Sequence, residues 1–482
     1  MAAKESLRTG GLRRAQPQLL LLQLFAGVNF GRAAHETDLN NFGPRFGLAW
    51  DVAGNGRTIV RGGYGVFYFH NAIKEYPDTQ GFSVVTTYQQ NVGQPAFQLR
   101  NGPPLILQPP GSSRGAASFL GDSVSFVERE RRTSYVQQWN FGVQREPPMR
   151  LLAEVSYAGS RGVKLFTESY DLNQLDPKYL SLGNALSDQV ANPYFNVLPA
   201  GSPLRTATIT RRQSLRPYPY FNNITVLNPH LGNTTYHSVQ VKVDRRFANG
   251  FGFLFSFTGS KKIGDTGRGV TDNSTGGGPL VVGVGCGQAT RYDRQVCRSL
   301  EPEDIPRNFA ASFVYELPFG RNQKYLSSGP LSWILGNVQL NGIVSYRSGL
   351  PLIIRGASNG AADRPNQIRS AELPGDQRSA ARWFDTTAFV APPLFTFGNT
   401  PRTQPDLRSP DTASFDFSVF KNFPFSERLS LQIRLEAFNL LNRANLGLPD
   451  VNFLSAGFGT ITSGGASPLD PRRIQLGAKL YF

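Results

Sequence analysis

What most constrains this chain is the spacing of its period-two segments. In LSLQIRLEAFN, Leu429, Leu431, Ile433, Leu435 and Ala437 alternate with Ser430, Gln432, Arg434 and Glu436. In SVQVKVDRRF, Val239, Val241 and Val243 alternate with Gln240, Lys242 and Asp244. Ala248-Asn249-Gly250 then turns the chain into FGFLFSFTGS, where Phe251, Phe253, Phe255 and Phe257 share one face. Asn-Gly between two alternating runs is a strong hairpin signal. Phe46, Leu48, Trp50 and Val52 behave likewise, as do Trp139, Phe141 and Val143 before Pro147-Pro148. The last residues, RRIQLGAKLYF, alternate to the very end.

Eleven strands follow from this pattern: 44–52, 57–69, 135–145, 150–160, 236–247, 251–260, 307–317, 335–347, 413–421, 429–439 and 472–482. Their connections take turns in length. Segments 53–56, 146–149, 248–250 and 422–428 are short, and 318–334 is intermediate. Segments 70–134, 161–235, 261–306, 348–412 and 440–471 are long and polar. An up-and-down sheet of this kind has one short-turn side and one long-loop side. That is the form of an outer-membrane β-barrel, with short periplasmic turns and long extracellular loops. Tilted strands of about 9–11 residues match a bilayer core.

Composition supports many strands and turns. Charged residues are 17%, against a usual value of roughly 25%, while Gly (50), Pro (34), Phe (35) and Tyr (17) are abundant. No stretch supplies the ~20 apolar residues of a membrane helix. The net charge is +16, but no Lys/Arg run exceeds two. A cationic loop and lumen surface is therefore favoured over nucleic-acid binding.

The rival all-β architecture is a soluble sandwich, a secreted or surface-bound adhesin or binding module. Two features favour the membrane. Tyr64, Phe67, Tyr68, Trp139, Tyr157 and Phe482 fall where an interfacial aromatic girdle would lie. Charge within strands (Lys242, Asp244, Arg434, Glu436 and Lys479) suits a wet lumen. Ile474 to Phe482 would then face lipid, and Gln475 to Tyr481 the lumen.

Motifs of catalysis fail in context. Gly356-Ala357-Ser358-Asn359-Gly360 matches G-x-S-x-G, which requires a helix to follow; Pro365 stands where the helix should run. His35, His70, His230 and His237 lack metal-ligand spacing. Neither an enzyme activity nor a cofactor or metal is expected. Cys286 and Cys297 sit in one loop, GVGCGQATRYDRQVC. They could close as a disulfide in an oxidising compartment, worth roughly 3 kcal/mol in the chain-entropy picture, or remain free thiols.

The ordered series ETDLNNFGPRFGLAWDVAGNGRTIVRGGYGVFY, YVQQWNFGVQRE, EVSYAGSRGVKL, YHSVQVKVDRRFANGF, IPRNFAASFVYELPFGR, GIVSYRSGLPL, RWFDTTAFVAPP, LQIRLEAFNLLNRANLG and FGTITSGGASPLDPRRIQLGAKLYF resembles the barrel region of TonB-dependent receptors of the Oar-like type. The resemblance covers about 36–482. It implies outer-membrane localisation in a Gram-negative-type bacterium, uptake of a ligand that the sequence does not identify, and assembly by the barrel-insertion machinery. It further implies contact with membrane lipid and lipopolysaccharide, and coupling to TonB through a plug. The family's plug and signal peptide, and about half of its roughly 22 strands, are not recognised here. The chain is therefore expected to be a C-terminal partial barrel of about 11–14 strands, without gating of its own. Segment 1–35 is poorly related and reads as a mis-set start; Leu19–Leu22 gives it a faint signal-peptide pattern, which Gln23 interrupts. Leu480 and terminal Phe482 resemble the family's C-terminal assembly signal.

Overall fold

The computed structural model describes residues 36–69, 132–266, 292–320, 327–357, 364–426, 428–462 and 471–482, together with Tyr325 and much of 86–130. Segment 1–35 and Cys286 lie outside the described residues. The described residues fall into two units: one comprises those within 41–69, 133–167 and 231–482, the other those within 36–40, 86–132 and 168–230.

The first unit contains the sheet. Its strands are β1 (Arg45–Asp51), β2 (Thr58–Phe69), β3 (Ser134–Arg145), β4 (Leu151–Leu165), β5 (Gly232–Ala248), β6 (Phe251–Gly264), β7 (Arg307–Glu316), β8 (Val338–Arg347), β9 (Thr412–Pro424), β10 (Ser430–Phe438) and β11 (Arg473–Tyr481). Each pairs antiparallel with the next in sequence order, and the two-residue strand Ser299–Leu300 adds to β6. All eleven sequence-derived strands are present in an up-and-down order. The antiparallel architecture is that of an outer-membrane barrel wall.

The turns explain the register. Ala248 pairs with Phe251 around Asn249 (φ 50°) and Gly250 (φ 78°). Two consecutive positive φ values make the type I′ loop that Asn-Gly accommodates. At the first turn Asp51 accepts a hydrogen bond from the Gly56 amide at 2.6 Å.

Paired residues in an antiparallel sheet point to the same side. Following the register therefore maps each face. One row runs Trp50, Val60, Val143, Val155, Val241, Phe257, Phe309, Tyr346, Ala413. A lower row runs Phe251, Tyr315, Leu340, Val419, Leu435, Leu476. Residues of this face stay exposed, Leu48 at 62% and Leu476 at 76%. A soluble sandwich would bury such a face against a second sheet. An apolar band crossing every strand far exceeds what monomers expose to water, and lipid is the solvent that fits it.

Strand direction reverses at each step of this path. With eleven strands, β1 and β11 run the same way, both from the long-loop end to the short-turn end. Direct pairing of β1 with β11 would therefore be parallel, unlike every other ladder between the eleven strands.

Two strands run further than their alternation. β4 continues to Leu165, and β5 begins at Gly232. These extensions pair Arg161 with Thr235 and Val163 with Asn233, above the apolar band where polar side chains occupy both faces. Phe67 does not join the girdle. Its register puts it on the polar face, under the Arg45 guanidinium at 4.6 Å.

The second unit is a folded body of its own. Strands Val124–Phe126, Ile224–Val226 and Tyr170–Asp171 form a small sheet over a core of Val124, Phe221 and Ile224. Asn173, wholly buried, donates to the carbonyls of Tyr218, Phe221 and Asn222 and accepts from the Tyr218 amide. A single Asn thereby satisfies backbone groups that a buried loop would otherwise orphan.

Candidate functional site

The face opposite the apolar band is polar. One of its rows runs Asp51, Ile59, Gln144, Glu154, Lys242, Ser256, Ala310, Ser345, Ser414. The register puts Lys242 directly opposite Glu154, and Asp244 between Leu152 and Leu254. Arg434 lies opposite Phe420 and Gly477, and Glu436 opposite Ser418 and Gln475. Lys479 lies opposite Gln432. All five residues thus share the polar face.

Local contacts organise that face. The Arg434 guanidinium stacks over Phe420 at 4.7 Å, and its Nε donates to Gln432 Oε1 at 2.5 Å. Gln432 in turn donates to Asn422 at 2.8 Å. The Lys479 ammonium lies 4.6 Å from the Tyr481 ring. Asn341 bridges Gln339 and Ser418. At the short-turn end a cavity of about 280 Å³ opens on Glu316, Gln339, Asn422 and Ser430. Such a surface offers hydrogen-bonding groups spread over several strands.

A second feature is invisible in the alternation. Segments 297–304 and 402–408 of the long connections are locked together. Arg402, fully buried, donates through Nε to the Cys297 carbonyl at 3.0 Å and through Nη2 to the Gly264 carbonyl at 3.2 Å. Its Nη2 lies 3.5 Å from Glu301. Arg408 grips Asp304 at 2.6 Å, and Thr403 donates to the Leu300 carbonyl at 2.6 Å. Burial pushes the Glu301 carboxyl above its ordinary range, against the pull of Arg402. Nearby, Leu352, Ile354, Phe384, Phe389 and Leu407 form an apolar core that Phe458 packs against. Segments 297–304 and 402–408 and the core around Phe384 are therefore structured, which the polar composition of these connections conceals.

Cys297 is buried; its expected partner, Cys286, lies outside the described residues. Leu480 and Phe482 are exposed, Phe482 at 97%. Residues 348–357 and 364–374, on either side of Ser358, carry no helix, and Ser358 itself lies outside the described residues. Among the described residues no cluster of His, Cys, Asp or Glu could hold a metal ion.

A family model described as "Outer membrane beta barrel domain" matches residues 7–475. A search of curated proteins finds no match. Among solved structures, the chain is similar to the outer membrane transporter YddB from Escherichia coli (12% identity, TM-score 0.40). It is similar also to the FrpB iron transporter from Neisseria meningitidis (10%, 0.37) and the siderophore receptor PirA from Acinetobacter baumannii (11%, 0.37). Each alignment covers 92% of this chain and 40%, 39% and 41% of the respective structure, so the chain spans well under half of their length.

Proposed function

The chain belongs to the outer membrane β-barrel domain family, and on that premise we propose that it forms part of the wall, lumen and extracellular loops of a TonB-dependent transporter of the Oar-like type. The observation that carries this reading is the pair of sheet edges. β1 and β11 run in the same direction, whereas a barrel of this kind closes antiparallel. Closure therefore calls for an odd number of further strands, outside the described ones, between β11 and β1. Lipid does not tolerate two unpaired edges.

In this reading the polar face carrying Lys242, Asp244, Arg434, Glu436 and Lys479 lines the lumen, and the clasped loops receive a ligand. Its mixed charge suits a polar solute. Gating comes from a plug and its TonB contact. Cys286 and Cys297 pair in an extracellular loop; the burial of Cys297 and the absence of a free thiol among the described residues support this. Leu480 and Phe482 present the strand end to the assembly machinery.

The test is uptake by this chain alone and by the chain joined to further strands. Cells expressing this chain alone are expected to insert it in the outer membrane yet take up no more fluorescent solute than controls. Joined in frame to a preceding plug and an odd number of strands, it is expected to give energy-dependent uptake. Energy-dependent uptake by this chain alone would overturn the proposal.

A further inference from the structure

Asn-Gly recurs along the chain, as Asn55-Gly56, Asn101-Gly102, Asn249-Gly250, Asn341-Gly342 and Asn359-Gly360. The pair has a chemistry of its own. The glycine nitrogen is tied to the Asn Cγ through the Asn carbonyl carbon, Cα and Cβ alone, so attack on Cγ closes a five-membered ring. Glycine has no Cβ to obstruct the approach. Whether a given pair reacts depends on what holds the glycine N–H and the Asn side chain. Asn359-Gly360 lies outside the described residues.

Three of the other pairs are held. The Gly56 N–H donates to the Asp51 carboxylate at 2.6 Å, and Asn55 Oδ1 accepts from the Arg57 amide at 3.0 Å. The Gly102 N–H donates to the Leu99 carbonyl at 3.1 Å. Asn341 and Gly342 lie inside β8, paired to β7 on one side and β9 on the other, and the Asn341 side chain bridges Gln339 and Ser418. An engaged N–H keeps its proton and fixes its peptide plane against the attack. Asn249-Gly250 differs. The β5–β6 ladder ends at Ala248 and Phe251, which leaves the N–H groups of the two central turn residues outside it. Asn249 is exposed. Among the described residues no hydrogen bond engages its side chain or the Gly250 N–H. Only the Gly250 carbonyl is used, accepting from the Glu316 amide at 2.7 Å.

We infer that Asn249 is a site of spontaneous deamidation, through a succinimide formed with the Gly250 nitrogen, and that the product unseats the β5–β6 turn. The Gly250 N–H gives its proton to solvent base, and its nitrogen bonds to Asn249 Cγ. The Cγ–Nδ2 bond breaks and ammonia leaves. Water then opens the ring at either carbonyl. One opening leaves an aspartate. The other routes the main chain through the former side chain, giving an isoaspartate with one more methylene in the backbone. No oxidant, reductant or cofactor takes part. Both products put a carboxylate where a neutral amide stood. The isoaspartate also lengthens a turn whose positive φ values at Asn249 and Gly250 set the hairpin register. The inference holds whichever solvent covers either face of the sheet.

The test incubates the full chain, folded in detergent, in mildly alkaline buffer and follows every Asn-Gly peptide by proteolysis and mass spectrometry. The mass gain of an amide turned to an acid is expected at Asn249, as a mixture of aspartate and isoaspartate. Asn55, Asn101 and Asn341 are expected to stay unmodified. The same chain in denaturant is expected to react at all of them, since unfolding releases the N–H groups that the fold engages. Equal reaction at Asn55 or Asn101 in the folded chain would overturn the inference. So would an unmodified Asn249 in the folded chain under conditions where the unfolded chain reacts. The isoaspartyl fraction is expected to lose hydrogen-exchange protection at Arg245 and Phe253, beside the turn; full protection there would contradict the effect on the hairpin.

Discussion

Arg402 and Glu301 meet 3.5 Å apart with both side chains sealed from water, joining two long connections that are about a hundred residues apart in sequence. Removing one member leaves the other charge buried, which costs about 3–5 kcal/mol. Arg402→Ala is expected to release segment 297–306 while sparing the strands. Hydrogen exchange should show lost protection in the loop and unchanged protection in β5 and β6. Equal loss in both would mean the clasp is part of the barrel's own stability.

Glu301 also sets a pH dependence. Its folded-state carboxyl is raised by burial, so the folded loop holds its proton more tightly than the unfolded loop. Stability contributed by this group is therefore greatest in acid, and falls as pH rises from the ordinary carboxyl range through the raised value. Loop protection in the wild type is expected to decline across that window, and Glu301→Gln to flatten the decline. A wild-type profile that rises with pH there would contradict the assignment.

Strand glycines make room for aromatic rings on the lipid side. A Cβ at Gly159 would stand 2.5 Å from the Trp139 ring, and one at Gly342 2.3 Å from Phe313. Gly47 has open space around the same position. Gly159→Ala and Gly342→Ala are expected to cost about 1–3 kcal/mol, and Gly47→Ala much less. Denaturant midpoints in detergent check the ranking.

Neighbouring residues on β10 face different solvents. Leu435→Arg places a cation against hydrocarbon and is expected to cost about 2–4 kcal/mol if its depth is near the bilayer midplane. Arg434→Leu, on the polar side, is expected to cost less than 1.5 kcal/mol, chiefly its Gln432 hydrogen bond. Similar costs for both would erase the distinction between the faces.

Phe482 is 97% exposed, so its side chain adds little to the folded wall. Deleting it is expected to lower the amount of chain assembled in the membrane severalfold while leaving the unfolding midpoint of assembled protein unchanged. A lowered midpoint with normal assembly would assign it a packing role instead.

The strand ladder is legible in the sequence because one-sided burial in lipid forces a period of two, and Asn249-Gly250 fixes a register that carries across the sheet. The polar side falls out of the same alternation, which is why Lys242, Asp244, Arg434, Glu436 and Lys479 share a face. Legibility fades where that force stops. Above the apolar band Arg161 and Thr235 are polar on a strand that still pairs, so β4 and β5 read short. Phe67 misleads because an aromatic at a strand end says nothing of its side. The loop bodies are hidden for another reason: Arg402 reaches Cys297 and Gly264, and Asn173 reaches Tyr218 to Asn222, across separations no local pattern records.

The most direct measurement maps lipid contact residue by residue. The full chain in a membrane containing lipid with a photoactivatable diazirine in the acyl chain is irradiated, digested and sequenced by mass spectrometry. Adducts are expected on Val241, Phe257, Phe309, Val419, Leu435 and Leu476, and not on Lys242, Ser256, Ser418, Glu436 or Gln475. Equal labelling of both sets, or labelling of the polar set alone, would contradict a sheet that turns one face to lipid and the other to a lumen.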